Sequence, residues 1–450
     1  ARAQELVDLA HLETALPKEP RLSTIELPRT IGQLRQAASA TRAMSWCNAT
    51  IDTSTNIRSM FGPLAGPIVI FGPNNFPYAF NSCAGGDFAA AIASGNPIIA
   101  KANTGHPGTT KIFAECAFDA VQITGLPKAT VQLLYRVLPE DGFKLVSHAS
   151  IGATGFTGSK YAGLKLKEAA DKMGKPIYLE MSSINPVFVL PGAIRERSEA
   201  LAEEFYGSFR MGAGQFCTSP GLMVVQDNEE SRGFINSIAK LFGSNSPQTL
   251  LGKNGPLDIK DGVKVLKESG AQVLVGGEVA EGPGYAFEDT LLEVSGEAFI
   301  ANPEALQTEA FGPVSMIVVT KDTKEMEGVA ASMEGNLTGA FYSHTGDDDD
   351  PIYNQLASVL RGKVGRLLND KMPTGVAVVS SMNHGGPFPA TGHPGFTAVG
   401  IPGSMVRFGA LHCYDNVRAH RLPVELQDKN PTGEMWRCID GEWTVMDVNT

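Results

Sequence analysis

The sequence lacks the features that several large classes of protein require. No run of about 18 uninterrupted apolar residues occurs, so no membrane-spanning helix is expected. The start, Ala1 to Glu5, shows no basic segment followed by an apolar one, and hence no visible signal peptide. Positive charge is in deficit, with 37 Lys and Arg against 48 Asp and Glu. This balance argues against a dedicated nucleic-acid binder, which would need a basic face.

Cysteine is sparse and scattered. No C-x-x-C pair occurs among the six cysteines, which are Cys47, Cys83, Cys116, Cys217, Cys413 and Cys438. Such scatter excludes a disulfide framework and a zinc finger, and it favours a reducing, cytoplasmic compartment. Most of these thiols, such as Cys116 within the apolar run FAECAF, are expected to be buried and inert.

Several diagnostic motifs are also missing. There is no H-E-x-x-H, no EF-hand loop and no G-x-x-x-x-G-K-[ST], and we expect no metal. No intact G-x-G-x-x-G occurs, and the partial match that begins at Gly212 ends in Cys217 instead of glycine. The acidic run at residues 347–350 is interpreted as a solvated loop.

Short apolar segments alternate with helical patterns along most of the chain. Strands are predicted at residues 67–71, 97–101, 130–137, 152–157 and 177–180, and amphipathic helices are predicted between them. This alternation is typical of βαβ units, so an α/β fold with parallel sheets is expected. The pattern continues beyond residue 186 and indicates two α/β domains that meet near 181–186.

Three side chains are candidates for chemistry. Cys217 follows two glycines in GAGQFCTSP, and an exposed loop thiol of this kind is either a nucleophile or an inert cysteine. Glu180 ends a predicted strand, where it is either a general base or a loop cap. Asn75 in FGPNNFP is either an oxyanion donor or a turn residue.

Two weaker features suggest a site for phosphate. Gly158 and Ser159 join a predicted strand to a helix, where free N–H groups can meet a phosphate. Lys101 ends the segment PIIAK and could reach a ribose or a phosphate, although a strand-end lysine is more often simply solvated.

Taken together, the segments resemble the aldehyde dehydrogenase superfamily. The order of the motifs carries the likeness, which runs from about residue 10 to about residue 420. The motifs are FGPNNFP (71–77), GNPIIAK (95–101), FTGS (156–159), LEMSSINP (179–186), GQFCTSP (214–220) and EAFGPV (309–314). Relative to the family pattern the sequence begins late, and an expected N-terminal strand region is missing from it.

Within the family, the chain is similar to an NADP-preferring branch. That branch includes α-ketoglutaric semialdehyde dehydrogenases and the fatty aldehyde dehydrogenase of luminous bacteria. The similarity rests on LEMSSINPVF, PTGVAV (373–378) and HGGPFPAT (384–391). The segments around Arg21 and over 29–35 also resemble that branch, with no role assigned to them.

The resemblance implies an architecture. It implies a Rossmann-type cofactor domain over residues 1–181, of which about 46–66 is a candidate part of an oligomerisation arm. An α/β catalytic domain would cover 182–395, and 396–450 would form a C-terminal arm that returns to the cofactor domain. A homodimer or homotetramer is expected.

The resemblance also implies roles, carried over by matching motifs. Cys217 corresponds to the nucleophile, Glu180 to the base that activates water, and Asn75 with the Cys217 N–H to the oxyanion hole. His384 is placed either near the thiol, where it would influence ionisation, or in a structural role. The positions that match cofactor contacts are Lys101, Gly158, Ser159, Glu309 and Phe311.

One position bears on the choice of cofactor. NAD-preferring relatives usually have a Glu three residues after the Lys, and this carboxylate repels a 2′-phosphate. Thr104 stands there in this sequence. We therefore expect NADP to be preferred over NAD, with Lys101 and Thr104 at the 2′-phosphate and Arg136 near the adenine.

The substrate and two rival functions are left open. The expected substrate is a small-molecule aldehyde, either a semialdehyde or a long-chain aldehyde, with Arg210 as a candidate anchor for an anionic group. The first rival is a CoA-acylating relative, and the presence of Glu180 argues against it. The second is a non-catalytic family member, which the presence of both Cys217 and Glu180 argues against.

Overall fold

The computed structural model describes residues 2–282 and 284–448. Its α-helices are α1 Ala3–Thr14, α2 Leu27–Ala43, α3 Gly86–Ala93, α4 Pro107–Thr124, α5 Pro139–Ser147, α6 Lys160–Asp171, α7 Pro191–Arg210, α8 Glu229–Ser244, α9 Gly255–Glu268, α10 Gly296–Ala301, α11 Pro303–Leu306, α12 Thr323–Ser332, α13 Asp350–Leu360 and α14 Gly403–Val406. Its strands are β1 Thr50–Asp52, β2 Ile57–Pro63, β3 Ile68–Phe71, β4 Ile98–Lys101, β5 Val131–Leu134, β6 Ala153–Thr157, β7 Ile177–Glu180, β8 Pro186–Val189, β9 Leu222–Gln226, β10 Gln272–Val275, β11 Val279–Ala280, β12 Ala286–Phe287, β13 Thr290–Ser295, β14 Val314–Thr320, β15 Asn336–Tyr342, β16 Val364–Asn369, β17 Gly409–Asp415, β18 Arg437–Ile439 and β19 Glu442–Thr444.

The first sheet consists of five parallel strands in the order β5–β4–β3–β6–β7. Its central strand β3 is buried at all four residues, as expected for a parallel strand with helices on both faces. Side chains of α3 cover one face, while side chains of α5 and α6 cover the other. The strand order reverses between β3 and β6, and ligands of open α/β sheets bind outside the carboxyl ends of strands at such a point.

Strand pairing places the ends of this sheet in one row. Lys101 pairs with Phe71, Phe71 with Phe156, and Phe156 with Leu179. The last residue of β4 and the last residue of β7, Glu180, therefore lie along the same carboxyl edge. The predicted strand at 177–180 has the observed bounds, whereas that at 130–137 is shortened to β5.

The second sheet has seven strands in the order β10–β13–β14–β9–β8–β15–β16. All neighbours are parallel except β10 and β13. Both β14 and β15 are buried along their whole length. The observed sheets confirm the predicted α/β fold.

A third sheet joins distant parts of the chain in the order β17–β2–β1–β18–β19. It brings residues 50–63 beside residues 409–444. The segment after residue 405 therefore contributes three strands of this sheet. The division of the chain into three domains, with the boundaries given above, stays a prediction.

Two expectations are corrected. Most thiols were expected to be buried, but Cys116 and Cys413 are exposed, and Cys116 lies on the outer face of α4 although its neighbours in sequence are apolar. The acidic run at 347–350 is exposed as expected except at Asp349, which is buried and whose carboxylate accepts the N–H groups of Gly192 and Ala193 at 2.9 and 3.1 Å. The carboxylate thus satisfies donors at the start of α7. None of the helices over the described residues has the length and apolar character needed to cross a membrane.

Candidate active site

Cys217 lies in a loop between α7 and β9 whose backbone is unusual. Gly212, Ala213 and Gly214 are three consecutive residues with positive φ, of 62°, 56° and 71°. A Cβ at Gly214 would lie 2.2 Å from the carbonyl oxygen of Gly312. Only glycine allows this approach, so the cysteine loop is held against the loop before β14.

Asn185 fixes the cysteine from the other side. Its Nδ2 donates to the carbonyl oxygens of Cys217 and Ser219, both at 2.9 Å. Asn336 orders the loop around Asn185 in turn, since its Oδ1 accepts the N–H groups of Ile184 and Asn185 at 2.9 and 3.1 Å. The sequence analysis quoted Asn185 within LEMSSINP but gave it no role.

Cys217, His384 and Glu180 come together in a cluster. The Cys217 Sγ lies 3.6 Å from His384 Nε2, and the same Nε2 lies 2.8 Å from Glu180 Oε1. The donor atoms of all three residues are within 4.8 Å of one another. Atoms of this kind also bind zinc, and the expectation of a site without metal stays a prediction.

Backbone pairing explains why His384 reaches Glu180. The segment that follows His384 runs beside β7: Met181 N–H donates to Ala390 O at 2.8 Å, and Gly392 N–H donates to Leu179 O at 3.3 Å. The histidine is also fixed by its own N–H, which donates to Thr397 Oγ1 at 2.7 Å. The imidazole is almost fully buried and therefore holds one orientation.

The electrostatics of the cluster favour the protonated thiol. Burial raises the pKa of Cys217 well above its ordinary value, and the Glu180 carboxylate raises it further, whereas the Arg29 guanidinium opposes the shift. The thiol therefore needs a neighbouring base to become a nucleophile. Glu180 is buried, and its Oε2 has no hydrogen-bond partner among the residues that the structure describes, so one carboxylate oxygen is available for a proton or a water.

Asn75 lies beside the same loop. It is buried, and its Nδ2 donates to the carbonyl oxygen of Gln215 at 2.9 Å, two residues before Cys217. An amide group has two N–H donors, so one remains for an oxyanion. Arg21 holds the Asn75 backbone through a 2.9 Å hydrogen bond to its carbonyl oxygen.

The residues predicted to contact phosphate lie at the switch point of the first sheet. Gly158 follows β6, and a Cβ there would lie 2.8 Å from the Phe156 ring. Ser159 caps α6, since its Oγ accepts the N–H of Ala162 at 3.3 Å. The other N–H groups of the first turn of α6 can therefore meet a pyrophosphate, as at other helix N-termini. These features fit a dinucleotide.

The residues predicted near the adenosine end lie further along the same edge. Lys101 ends β4, and burial lowers the pKa of its ammonium group. Thr104 is exposed in the following turn, and Arg136 is exposed two residues beyond β5. Adjacent strands thus bring the three residues to one edge of the sheet.

A cavity of about 460 Å³ opens between the first and second sheets. Its lining includes Lys160, Ser182, Glu309, Asn336 and Pro389. Burial raises the pKa of Glu309 to about 7, while hydrogen bonds from Ser182 and the Ser183 backbone oppose the shift. Phe311 lines a smaller adjoining space that Glu309 also borders.

Aromatic rings and arginines form a second group of side chains near Cys217. Phe76 contacts Phe80 and Phe216, with ring centroids 5.4 and 5.0 Å away, and Phe80 lies 5.7 Å from the His384 ring. The Arg21 guanidinium lies 4.5 Å from the Phe76 ring, and that of Arg29 lies 5.4 Å from the Phe80 ring. The sequence analysis assigned no function to any of these residues.

Arg210 does not take part in this group. Its Nε lies 3.1 Å from the Oδ2 of Asp289, a buried carboxylate, and its Nη2 donates to Ser246 O at 2.6 Å. Since its charge is already matched by Asp289, the proposed role as an anchor for a substrate anion is not supported.

The sequence of the chain matches a family model and several known proteins. The family model described as "Aldehyde dehydrogenase family" matches residues 1–364. Alpha-ketoglutaric semialdehyde dehydrogenase 2 of Azospirillum brasilense is 39% identical over 445 residues, which cover 96% of this chain and 83% of that protein. Alpha-ketoglutaric semialdehyde dehydrogenase of Acinetobacter baylyi is 34% identical over 453 residues, covering 98% and 84%.

The fold is shared with solved structures. Gamma-glutamyl-gamma-aminobutyraldehyde dehydrogenase of Burkholderia cenocepacia aligns with a TM-score of 0.77 over 93% of this chain and 81% of its own, at 19% identity. At this identity the likeness concerns the fold alone.

Proposed function

The chain belongs to the aldehyde dehydrogenase family, and from this premise we propose that it oxidises a small semialdehyde to a carboxylic acid with NADP as the preferred cofactor. Membership makes it an NAD(P)-dependent oxidoreductase that acts on aldehydes. The residue roles, the cofactor preference and the substrate are the proposal. The observation that carries it is the cluster of three side chains: the Cys217 Sγ lies 3.6 Å from His384 Nε2, and this buried nitrogen lies 2.8 Å from Glu180 Oε1.

The first step is the ionisation of the thiol and its addition to the aldehyde carbon. Because Nε2 of His384 lies 3.6 Å from the Cys217 Sγ, this nitrogen accepts the proton that leaves the thiol, and Glu180 stays ionised beside the imidazole. The new C–S bond turns the carbonyl oxygen into an oxyanion. In this proposal Asn75 Nδ2 and the Cys217 backbone N–H donate to that oxyanion, a contribution that is often worth about 10²–10³ in rate.

A nicotinamide cofactor, when bound, supplies the acceptor for the hydride that leaves the former aldehyde carbon. The residues that would hold it are Lys101, Gly158 and Ser159 along the edge of the first sheet, with Glu309 and Phe311 at the cavity. The absence of a carboxylate at Thr104 and the positive charges of Lys101 and Arg136 support a preference for the 2′-phosphate of NADP.

Release of the product needs water. The thioester on Cys217 is hydrolysed when Glu180 takes a proton from a water and directs the hydroxide at the acyl carbon. Its unpartnered Oε2 supports this role, because a buried carboxylate oxygen requires a hydrogen-bond donor. The acid leaves and the thiol regains its proton.

We also propose a homodimer or homotetramer in a reducing compartment such as the cytoplasm. The third sheet and the residue before β18 carry exposed apolar side chains, Leu411, Trp436 and Trp443, of the kind that a second copy covers. All six thiols are free, which supports a reducing environment. Light scattering on the purified chain would measure the assembly.

A kinetic panel tests the proposal. The kcat/KM of reduced cofactor formation would be measured for α-ketoglutaric semialdehyde, succinic semialdehyde and a long-chain aldehyde, each with NADP and with NAD. We expect the highest value for a semialdehyde with NADP. Equal or better use of NAD would contradict the cofactor preference, and a rate that requires CoA would instead indicate acyl transfer to that thiol.

A further inference from the structure

We infer that Arg29 is a specificity-determining residue, which binds the distal carboxylate of the semialdehyde. This inference rests on the proposed function and deepens it, because it selects between the semialdehyde and long-chain classes of substrate. Two observations carry it. Two buried nitrogens of the Arg29 guanidinium have no hydrogen-bond partner among the described residues, and the guanidinium lies beside the catalytic cluster.

Arg29 makes no ion pair within the described residues, and Glu26 acts on its guanidinium only through its charge. Its Nε and Nη2 are buried, and neither makes a hydrogen bond in the part of the chain that the structure describes. The neighbouring Arg21 differs, since it forms an ion pair with the buried carboxylate of Glu26 and donates to Asn75 O. A buried cation without a partner is unfavourable, and an anionic ligand would remove this penalty.

The position of Arg29 suits a substrate bound at Cys217. Its guanidinium lies between the Phe76 and Phe80 rings, 5.7 and 5.4 Å from their centroids, and the Phe80 ring in turn contacts His384. The charge acts on the reacting thiol, because the Arg29 guanidinium lowers the pKa of Cys217. One aromatic ring therefore separates the cation from the catalytic histidine.

The two unpartnered atoms define the chemistry of the ligand. Nε–H and Nη2–H point from the same edge of the planar guanidinium and form a fork that matches the two oxygens of a carboxylate. The Phe76 and Phe80 rings can line the short carbon chain between that carboxylate and the aldehyde. A long alkyl chain offers no acceptor for either N–H. A neutral aldehyde would therefore leave the two buried nitrogens without a hydrogen-bond partner.

The test compares two substrates of equal chain length in matched variants. Succinic semialdehyde and butanal differ in a carboxylate at the distal carbon, and kcat/KM would be measured for both with saturating cofactor. Arg29→Lys keeps the positive charge that acts on the thiol but loses the fork. Arg35→Gln is the control, because Arg35 is an exposed residue of the same helix α2.

We expect Arg29→Lys to lower kcat/KM for the semialdehyde by about 10- to 100-fold, chiefly through KM, and to leave butanal within about threefold. Arg35→Gln should leave kcat/KM unchanged for both substrates. Glutarate should compete with the aldehyde in the wild type. Its inhibition constant should be higher in Arg29→Lys by about tenfold or more.

If Arg29→Lys lost kcat/KM equally for both substrates, the inference would be overturned and Arg29 would have a structural role. An unchanged preference for the semialdehyde in this variant would also overturn it. Should Arg29→Lys not fold, inhibition of the wild type decides the matter: glutarate binding no more tightly than 1-butanol would contradict the assignment. A wild type that oxidises neither aldehyde would instead refute the proposed function.

Discussion

The two sides of Cys217 are built in different ways. On the cofactor side the important features are strand ends, a helix start and a close backbone approach, such as Gly158 beside Phe156. On the aldehyde side they are large side chains from separate segments, with Arg29 from α2 and Phe80 from the loop before α3. The comparison suggests that the backbone of the first sheet fixes the general chemistry, while side chains from outside that sheet determine the substrate.

The largest effect is expected from removing the Cys217 Sγ, the atom at which both sides meet. Cys217→Ala should lower aldehyde oxidation by about 10³-fold or more, because no thioester can form, while the dissociation constant of NADP stays within about twofold. Steady-state rates and fluorescence titration of the cofactor would measure the two quantities. Cys116→Ala, at an exposed thiol, is the matched control, and a residual rate near wild type in Cys217→Ala would contradict the role of nucleophile.

The next effect separates the two halves of the reaction. Glu180→Gln should slow steady-state turnover by about 10²–10³-fold through hydrolysis of the thioester, yet retain a burst of reduced cofactor. Because the Glu180 carboxylate raises the pKa of Cys217, the same variant should react faster with iodoacetamide near pH 8. Rapid-mixing absorbance and alkylation rates check both, and loss of the burst would count against a base that acts only after hydride transfer.

A smaller effect concerns only the cofactor side. Thr104→Glu would place a carboxylate at the exposed turn after β4 and should weaken the preference for NADP over NAD by about tenfold. The ratio of kcat/KM for the two cofactors measures this change, with the same semialdehyde in each assay. An unaltered ratio would mean that the 2′-phosphate binds elsewhere.

The smallest effect is a dependence on pH. Burial raises the pKa of Glu309 to about 7, so the carboxyl group is neutral below this pH and ionised above it. An ionised carboxylate accepts the hydroxyls of a ribose more strongly, and the KM for NADP should therefore fall severalfold as pH rises through about 7. Glu309→Gln should give a flat profile from pH 6 to 8, and a sloping profile in that variant would assign the titration to another group.

Much of the cofactor side could be predicted from the sequence, because its signals are local. The apolar run that ends in Glu180 has the bounds of β7, and FTGS marks the start of α6. For His384 the sequence left two alternatives, a place near the thiol or a structural role, and in the structure its Nε2 lies 3.6 Å from the Cys217 Sγ. The roles of these residues stay predictions.

The aldehyde side could not be predicted in the same way, because its contacts join residues far apart in the chain. Arg210 was chosen for its proximity to Cys217 in sequence, whereas its partner Asp289 becomes visible only in the fold. Arg29 was noted as part of a branch-like segment, and its missing partner could not be seen without the burial of α2. Asp349 shows the same limit, since an acidic run gives no sign that one member caps a helix.

The most direct test of the account is the mass of the acylated protein. Glu180→Gln would be mixed with NADP and succinic semialdehyde, quenched in acid, digested and analysed by mass spectrometry. We predict one succinyl group on the peptide that carries Cys217, formed with one equivalent of reduced cofactor. Reduced cofactor without this adduct, or an adduct on another cysteine such as Cys116, would contradict the central role of Cys217.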